Sequence, residues 1–340
     1  MSVSNEELLE MLISSRDFES GVMAEVMDRI LSASLSKAQV AAALALIRVK
    51  GISALALGEA AEVALSKATN ATGPAYMFGD IVGTGGDGQN TINASTMASL
   101  TAASVGMPVA KHGYVSVSSR CGSADLLREL GLDMNLPYLK SRQSLDELKW
   151  CFLFAPNHHP TFKAVREIRA ELKIKTIFNI LGPLANPWSP PIMVLGVYDP
   201  ELIQPYIEAL RLLGRSRALV VHGSGLDEIA LHGFSSMALL KDGGVERFNV
   251  SPYDLGLKEF SLASIRGGSP SENAKECLSI LGGFGSDAKT SMVAASAGAL
   301  LWLGDHAESL KIGVEKALAA LRAGLPLRLF NEIRRFHRGS

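Results

Sequence analysis

The densest chemistry in the sequence lies in Asp80-Ile-Val-Gly83-Thr-Gly85-Gly86-Asp87-Gly88, where four glycines fall within six positions, followed closely by Asn93-Ala-Ser95-Thr96. The apolar run before the glycines predicts a strand, and Asn93-x-Ser-Thr predicts the start of a helix. Glycines let a backbone turn sharply and approach a ligand, while the free N–H groups and dipole at a helix start favour an anion. Phosphate is the tenant this chemistry suits. Gly83-x-Gly85-x-x-Gly88 also spells the dinucleotide fingerprint, but that site wants an acid at the end of the next strand to hold a ribose diol. Here the next strand, Met107-Pro-Val-Ala110, runs into Lys111-His112, which argues against a nicotinamide cofactor. No Gly-Lys-Ser/Thr follows the glycines, so the P-loop pattern is absent.

A second cradle follows in Lys111-His-Gly-Tyr-Val-Ser-Val-Ser-Ser-Arg-Cys-Gly122, leading to a helix expected to be capped by Ser123. A lysine, serine hydroxyls, glycines and another helix start are again phosphate chemistry. Two such loops at successive strand ends lie at the carboxyl edge of one sheet. They suit a small sugar with phosphates at two ends. Further on, Asp227-Glu228 follows the strand Arg217–Val221 and a His222-Gly-Ser-Gly225 turn. Adjacent acids are usually solvated surface, yet beside phosphate sites they suit Mg²⁺, which takes one or two carboxylates plus phosphate oxygens and water.

Elements that would position these residues can be traced by pattern. Residues 4–69 read as four helices: Ser4-x-x-Glu7 is a capping box, Val22, Met23, Val26, Met27, Ile30 and Leu31 share one face, and Gly51 ends the third. After Ala75, strands at Gly79–Val82, Pro108–Ala110, Cys151–Phe154, Ile192–Tyr198 and Arg217–Val221 alternate with helices near Ala94–Val105, Ala124–Leu130, Leu145–Lys149, Thr161–Lys173 and Glu201–Leu213. That alternation implies a mostly parallel sheet covered on both faces. Met237–Leu240 and Val245–Val250 read as a hairpin, and residues 271–337 as four helices. The expected architecture is α/β, with a small helical domain over residues 1–72, a helical segment near 160–190 joined to it, and a large α/β domain over 73–340.

Composition agrees with a large buried core: 47% of the 340 residues are apolar and 20% charged. With 33 Lys+Arg against 34 Asp+Glu there is no one-signed field to draw the molecule to nucleic acid or an anionic membrane. Neither partner is expected. MSVSNEELLE lacks a basic region and an apolar core, the two long uncharged stretches carry Asn and Pro or hydroxyls, and three separated cysteines form no disulfide pattern. A cytoplasmic protein is expected.

Together these segments resemble the anthranilate phosphoribosyltransferases. The matching stretches are Gly83-Thr-Gly-Gly-Asp87, Asn93-x-Ser95-Thr96, Lys111-His112-Gly113, Ser118-Ser119, Gly122-Ser-Ala-Asp125, Phe154-Ala-Pro156, His159-Pro160, Thr176-Ile-Phe-Asn179, Leu181-Gly-Pro-Leu184, Asn186-Pro187, Val221-His-Gly223 and Leu226-Asp-Glu228. They occur in order over nearly the whole α/β part. The resemblance implies a nucleoside phosphorylase/phosphoribosyltransferase-like fold and a homodimer through the N-terminal helices. It implies transfer of ribose 5-phosphate from phosphoribosyl pyrophosphate to the amine of anthranilate, with two Mg²⁺ ions. Under it, Gly83, Gly86, Asp87, Thr91, Asn93, Ser95, Thr96, Lys111, His112, Gly113, Ser118, Ser119 and Ser123 fall on donor positions. Ser95, Asp227 and Glu228 fall on metal positions, and Gly83, His159, Arg169 and Pro183 on acceptor positions. No side-chain nucleophile is implied, since an aromatic amine is already nucleophilic at neutral pH.

The chain departs from the family pattern at Tyr114-Val115, where Asn-Arg usually follows Lys-His-Gly, and the asparagine normally contacts the acceptor. Anthranilate with an altered pocket wall, and another aromatic amine, are the two readings this leaves. A pyrimidine nucleoside phosphorylase shares the fold, but its Lys-His-Ser segment before the glycine loop is missing here. A binding-only descendant would have lost the acidic pair or Lys111, and both are present.

Overall fold

The computed structural model describes residues 3–15, 17–115 and 120–339. The chain opens with helices α1 (Asn5–Ser14), α2 (Val22–Leu31), α3 (Lys37–Lys50) and α4 (Ala54–Ser66). The capping box forms as expected: the Ser4 hydroxyl accepts from the Glu7 N–H at 3.1 Å, and the Glu7 carboxylate accepts from the Ser4 N–H at 2.7 Å. Ser36 and Gln39 repeat it on α3, and α2 buries the six apolar residues whose spacing marked them.

The α/β part runs β1 (Gly79–Gly83), α5 (Ala94–Ser104), β2 (Val109–Gly113), α6 (Ser123–Glu129), α7 (Tyr138–Leu148), β3 (Trp150–Phe154) and α8 (Ala155–His158). It continues with α9 (Lys163–Leu172), α10 (Ile177–Leu181), β4 (Ile192–Gly196), α11 (Ile203–Leu212), β5 (Arg217–Gly223), β6 (Ser235–Lys241) and β7 (Gly244–Val250). Helices α12 (Pro270–Leu281), α13 (Asp287–Leu303), α14 (Leu310–Arg322) and α15 (Leu325–Arg338) complete it. The seven strands lie in the order β3-β2-β1-β4-β5-β6-β7, parallel through β5. β6 and β7 pair antiparallel as the expected hairpin, turning at Asp242-Gly243 with positive φ at both residues. The chain leaves β1 for β2 and β3 on one side and crosses to β4 on the other, so the topological switch lies between β1 and β4.

Side-chain alternation along the strands divides the interior. Ile192 and Val194 join a core with α5, α13 and α14, while Met193 and Leu195 face a second core shared with α4, α9 and α11. That second core also holds the helical-domain residues Leu44, Leu57 and Ala60 and the linker residues Ile177 and Phe178. The helical domain therefore packs on the sheet and on α9–α10 with no solvent layer between.

Two expectations are corrected. The helix near Leu145 begins seven residues earlier, at Tyr138. Its buried face carries Ser141 and Ser144 as well as Leu145, and hydroxyls on that face conceal the amphipathic pattern; the Ser144 hydroxyl is satisfied by the Trp150 carbonyl at 2.7 Å. Ser123 does not cap α6: the cap is Gly122, whose N–H is held at 2.9 Å by the Asp125 carboxylate.

At the joint between the two parts, the Thr69 N–H donates to the His158 carbonyl at 2.8 Å, and His158 Nδ1 lies 3.1 Å from the Thr69 carbonyl. His159 Nε2 lies 2.7 Å from the Ala185 carbonyl, which can only accept, so Nε2 carries the proton. Burial pushes His159 down to about 4, and burial also lowers His158. Between pH 6.5 and about 4 the unfolded chain therefore binds a proton that folded His159 refuses. Stability should fall with pH across that window by about 3 kcal/mol from this side chain alone. Urea midpoints measured from pH 7 to 4.5 check it: the slope should flatten in His159→Gln, and an equal slope in both proteins would contradict the assignment.

Candidate active site

Each of the four strands nearest the switch ends on glycine: Gly83 on β1, Gly113 on β2, Gly196 on β4 and Gly223 on β5. What they have in common is the space they leave. After β5 the chain turns tightly, with reciprocal 3.0 Å hydrogen bonds between Gly223 and Leu226, and lays Asp227-Glu228 across the strand ends. A Cβ on Gly196 would stand 2.5 Å from the Asp227 carbonyl carbon, and one on Gly83 2.9 Å from Asp227 Cγ. One on Gly223 would stand 2.5 Å from the Ala230 nitrogen. Such distances admit no methyl group, so the acidic pair reaches the sheet edge only because these strands end without side chains.

Here the two carboxylates meet the first glycine loop. Asp227 Oδ2 accepts from the Gly85 N–H at 2.6 Å. Glu228 Oε1 accepts from the Ser95 N–H at 3.2 Å, in the first turn of α5, and Oε2 accepts from the Ser296 hydroxyl at 3.0 Å. An acid thus occupies the helix N-terminus where an anion is favoured. Burial raises Asp227 well above the usual carboxylate range, and the neighbouring Asp87 and Glu228 add to it. Glu228 is pushed up to about 7 by burial, against the pull of Ser296 and Lys111. The buried Lys111 ammonium donates to the Ile81 carbonyl at 2.6 Å and to the Ser95 hydroxyl at 3.3 Å; burial lowers its pKa, and Asp80 and Glu228 oppose that.

Asp87 completes the acidic cluster. One of its carboxylate oxygens accepts from the Gln89 N–H at 3.0 Å, while Oδ2 is buried without a partner. Crowded hard oxygens with an unsatisfied lone pair fit a small hard cation. Among the described residues no three His, Cys, Asp or Glu side chains form a ready-made cage, so a cation here would draw further ligands from phosphate and water.

Both cradles open on one cavity of about 640 Å³. Gly83, Gly86, Asp87, Thr91, Asn93, Ser95 and Thr96 line it from the first loop, and Lys111, His112, Gly113 and Ser123 from the second. Asp227, Glu228, His159, Arg169 and Pro183 line it as well. Ser118 and Ser119 lie outside the described residues. The Asn93 side chain ties the two loops together, donating to the Cys121 carbonyl at 2.9 Å and accepting from Asn273 at 3.1 Å. Thr96 Oγ1 and His112 Nε2 are buried without partners, and burial next to His159 and His158 holds His112 well below its ordinary pKa.

Also in the cavity lining, the Arg169 guanidinium stands 5.3 Å from the centre of the Phe178 ring, a half-buried cation on an aromatic wall. Tyr114 takes its place nearby, 37% exposed, stacked on Phe154 with ring centroids 6.2 Å apart. Its backbone is fixed by the Ala124 N–H and the Ser123 hydroxyl, both donating to its carbonyl. Tyr114 therefore stays in the pocket wall as a stacked aromatic, and Val115 beside it also lines the cavity.

Several site residues escaped sequence reasoning. Asp80, fully buried, is pushed up to about 6 by burial; it accepts from the His112 N–H and from Asn186, which also donates to the Ala110 carbonyl. Ser296 on α13 and Asn273 on α12 come from helices distant in sequence. Gly196 and Gly223 carry a weaker signal: Gly196 falls within the expected strand Ile192–Tyr198 and Gly223 just beyond Arg217–Val221, and only the structure ends β4 and β5 on them.

Residues 75–327 match the model of the glycosyl transferase family, a/b domain, and residues 6–68 that of the glycosyl transferase family, helical bundle domain. The chain is 44% identical over 317 residues to an anthranilate phosphoribosyltransferase of Erwinia tasmaniensis, covering 93% of this chain and 95% of that protein. It is 44% identical over 322 residues to the Haemophilus influenzae protein of the same name, covering 95% and 96%. Among solved structures it is similar to anthranilate phosphoribosyltransferase from Thermus thermophilus, with a TM-score of 0.92, 36% identity, and coverage of 97% and 99%. It is also similar to the Saccharomyces cerevisiae enzyme in complex with PRPP and Mg, with a TM-score of 0.83, 28% identity, and coverage of 99% and 94%. On the shared helical bundle, parallel sheet and near full-length identity, the chain belongs to the anthranilate phosphoribosyltransferase family.

Proposed function

We propose that this protein transfers the 5-phosphoribosyl group from phosphoribosyl pyrophosphate to the amine of anthranilate, a step of tryptophan biosynthesis, releasing pyrophosphate. The observation that carries this reading is the single cavity lined by two phosphate-type loops, by the acidic pair Asp227-Glu228 and by Arg169 on an aromatic wall. The first loop and the start of α5, with Lys111 and Ser123, hold the donor. Asp87, Asp227 and Glu228, with the Ser95 hydroxyl, are the residues for two Mg²⁺ ions. When bound, Mg²⁺ neutralises charge on the departing pyrophosphate.

The residues of the chain do the rest by placement. Arg169 holds the acceptor carboxylate, for which a planar bidentate donor is suited. Pro183, His159 and Tyr114 confine its ring, and the amine faces the anomeric carbon. The C–O bond to pyrophosphate breaks as the C–N bond forms, and the amine gives up one proton. Charge develops on the sugar and on the leaving group, so orientation and electrostatics supply the rate without a side-chain nucleophile. His159 and His112, both held neutral by burial, act as uncharged wall residues near pH 7.

The cavity is lined from the α/β unit at 73–340, including the α9–α10 segment, which shares a core with the helical unit at 1–72. Exposed Ile13 on α1 and Val49 on α3, the latter 85% accessible, support self-association through the helical unit into a homodimer. Three buried free cysteines favour the cytoplasm, and no helix among the described residues is long and apolar enough to cross a membrane.

Incubation with Mg²⁺, phosphoribosyl pyrophosphate and anthranilate should give loss of anthranilate fluorescence with equimolar pyrophosphate. Pyrophosphate release only with a different aromatic amine would move the acceptor and keep the transferase class; phosphorolysis of pyrimidine nucleosides instead would overturn the class. Arg169→Ala should raise the KM for anthranilate about 10- to 100-fold, the worth of a lost charge-assisted pair. The KM for the donor should change little, and an equal loss of both substrates would remove Arg169 from the acceptor end.

A further inference from the structure

The first glycine loop is held residue by residue from behind. The Thr84 N–H donates to the Gly196 carbonyl at 2.9 Å, and its hydroxyl accepts from the Tyr198 N–H at 3.1 Å. Gly85 is held by Asp227. Gly86 is held by a residue outside the motifs: Lys175 donates its ammonium to the Gly86 carbonyl at 2.7 Å. The same ammonium lies 3.5 Å from the centre of the Tyr198 ring, so a cation–π contact fixes it from the far side.

The geometry of one peptide unit gives this contact a consequence. In a planar trans peptide the C=O and the following N–H point in opposite directions. Gly86 has a φ of +80°, a region in which glycine also leaves ψ free to vary, so sterics at Gly86 alone do not fix the direction of its carbonyl. With the Gly86 carbonyl held by Lys175, the Asp87 N–H is turned to the opposite side of the loop, away from the lysine. Lys175 stands between α9, which carries Arg169, and Thr176, which caps α10 through Asn179. It thus joins the acceptor-bearing linker to the donor loop across 89 residues of sequence.

We propose that Lys175 is a positioning residue for the donor. It pins the Gly86 peptide so that the loop N–H groups are arranged for pyrophosphate before the ligand arrives, and Tyr198 backs it. The role in donor binding rests on the function proposed above; the pin itself does not. The test uses the whole protein as wild type, Lys175→Met, which keeps the apolar stem and removes the charge, and Lys175→Arg, which restores it.

Amide hydrogen exchange over residues 84–90 of the ligand-free protein reads the pin directly. Exchange should quicken in Lys175→Met and return in Lys175→Arg, with melting temperatures alike; unchanged exchange in the methionine variant would overturn the proposal. Calorimetric titration with phosphoribosyl pyrophosphate and Mg²⁺ reads the consequence. Affinity should fall about tenfold or more in Lys175→Met and largely recover in Lys175→Arg, with the anthranilate KM within about twofold. Equal loss of both substrates, or no rescue by arginine, would overturn the positioning role. A wild-type protein that binds no donor while the exchange effect holds would instead fault the proposed function.

Discussion

The site depends on how closely one loop backbone approaches the sheet. Asp227 and Glu228 lie on the glycine ends of β1, β4 and β5, at distances where any side chain on Gly83, Gly196 or Gly223 would collide. Without that approach, the carboxylates would stand off the sheet edge by the width of a side chain. Gly85 would lose its partner and the first turn of α5 its acidic cap. The same constraint explains why charge is concentrated where the fold gains least from it. Asp87, Asp227, Glu228 and Lys111 are crowded together where desolvation raises Asp227 and Glu228 and lowers Lys111, an arrangement expected of a site and costly to a plain core.

The position of the loop relative to the rest follows from the two cores. β4 sends alternate side chains to the helical domain and to the C-terminal helices, so the sheet edge is braced on both faces. The α9–α10 linker shares the helical-domain core and carries both Arg169 and Lys175. The proposed acceptor contact at Arg169 and the hold on the first glycine loop therefore come from one packed segment. Shared packing and the Lys175–Gly86 hydrogen bond thus tie this segment to the rest of the lining of the 640 Å³ cavity.

Much of this is legible in the residues because the strongest local signals lie in segments that line the cavity. Short apolar runs alternating with helical stretches mark the strands, and the Ser4-x-x-Glu7 capping box marks a helix start. Gly83-Thr-Gly-Gly-Asp87 beside Lys111 pointed to phosphate. What stayed hidden depended on chain neighbours far apart in sequence. Lys175, in a Lys-Ile-Lys run, has the look of solvated charge until Gly86 and Tyr198 are placed beside it. Gly196 looks like an ordinary strand residue until Asp227 is laid on it. Serines on the buried face of α7 break the apolar rhythm and conceal its first two turns. Tyr114 was recognised as a departure, but its stack on Phe154 could not be inferred from an alternation pattern.

The most direct test of the central claim is calorimetric titration of phosphoribosyl pyrophosphate with Mg²⁺ into the wild type and into Asp227→Asn/Glu228→Gln. The new amide at position 227 keeps an acceptor oxygen for the Gly85 N–H and that at position 228 keeps one for the Ser95 N–H, while the NH2 of the latter can donate to the Ser296 hydroxyl; the crowded charges are removed. The account predicts a variant that melts no lower than the wild type and shows no Mg²⁺-dependent donor binding or turnover. A variant that binds and turns over the donor with Mg²⁺ as the wild type does would contradict it.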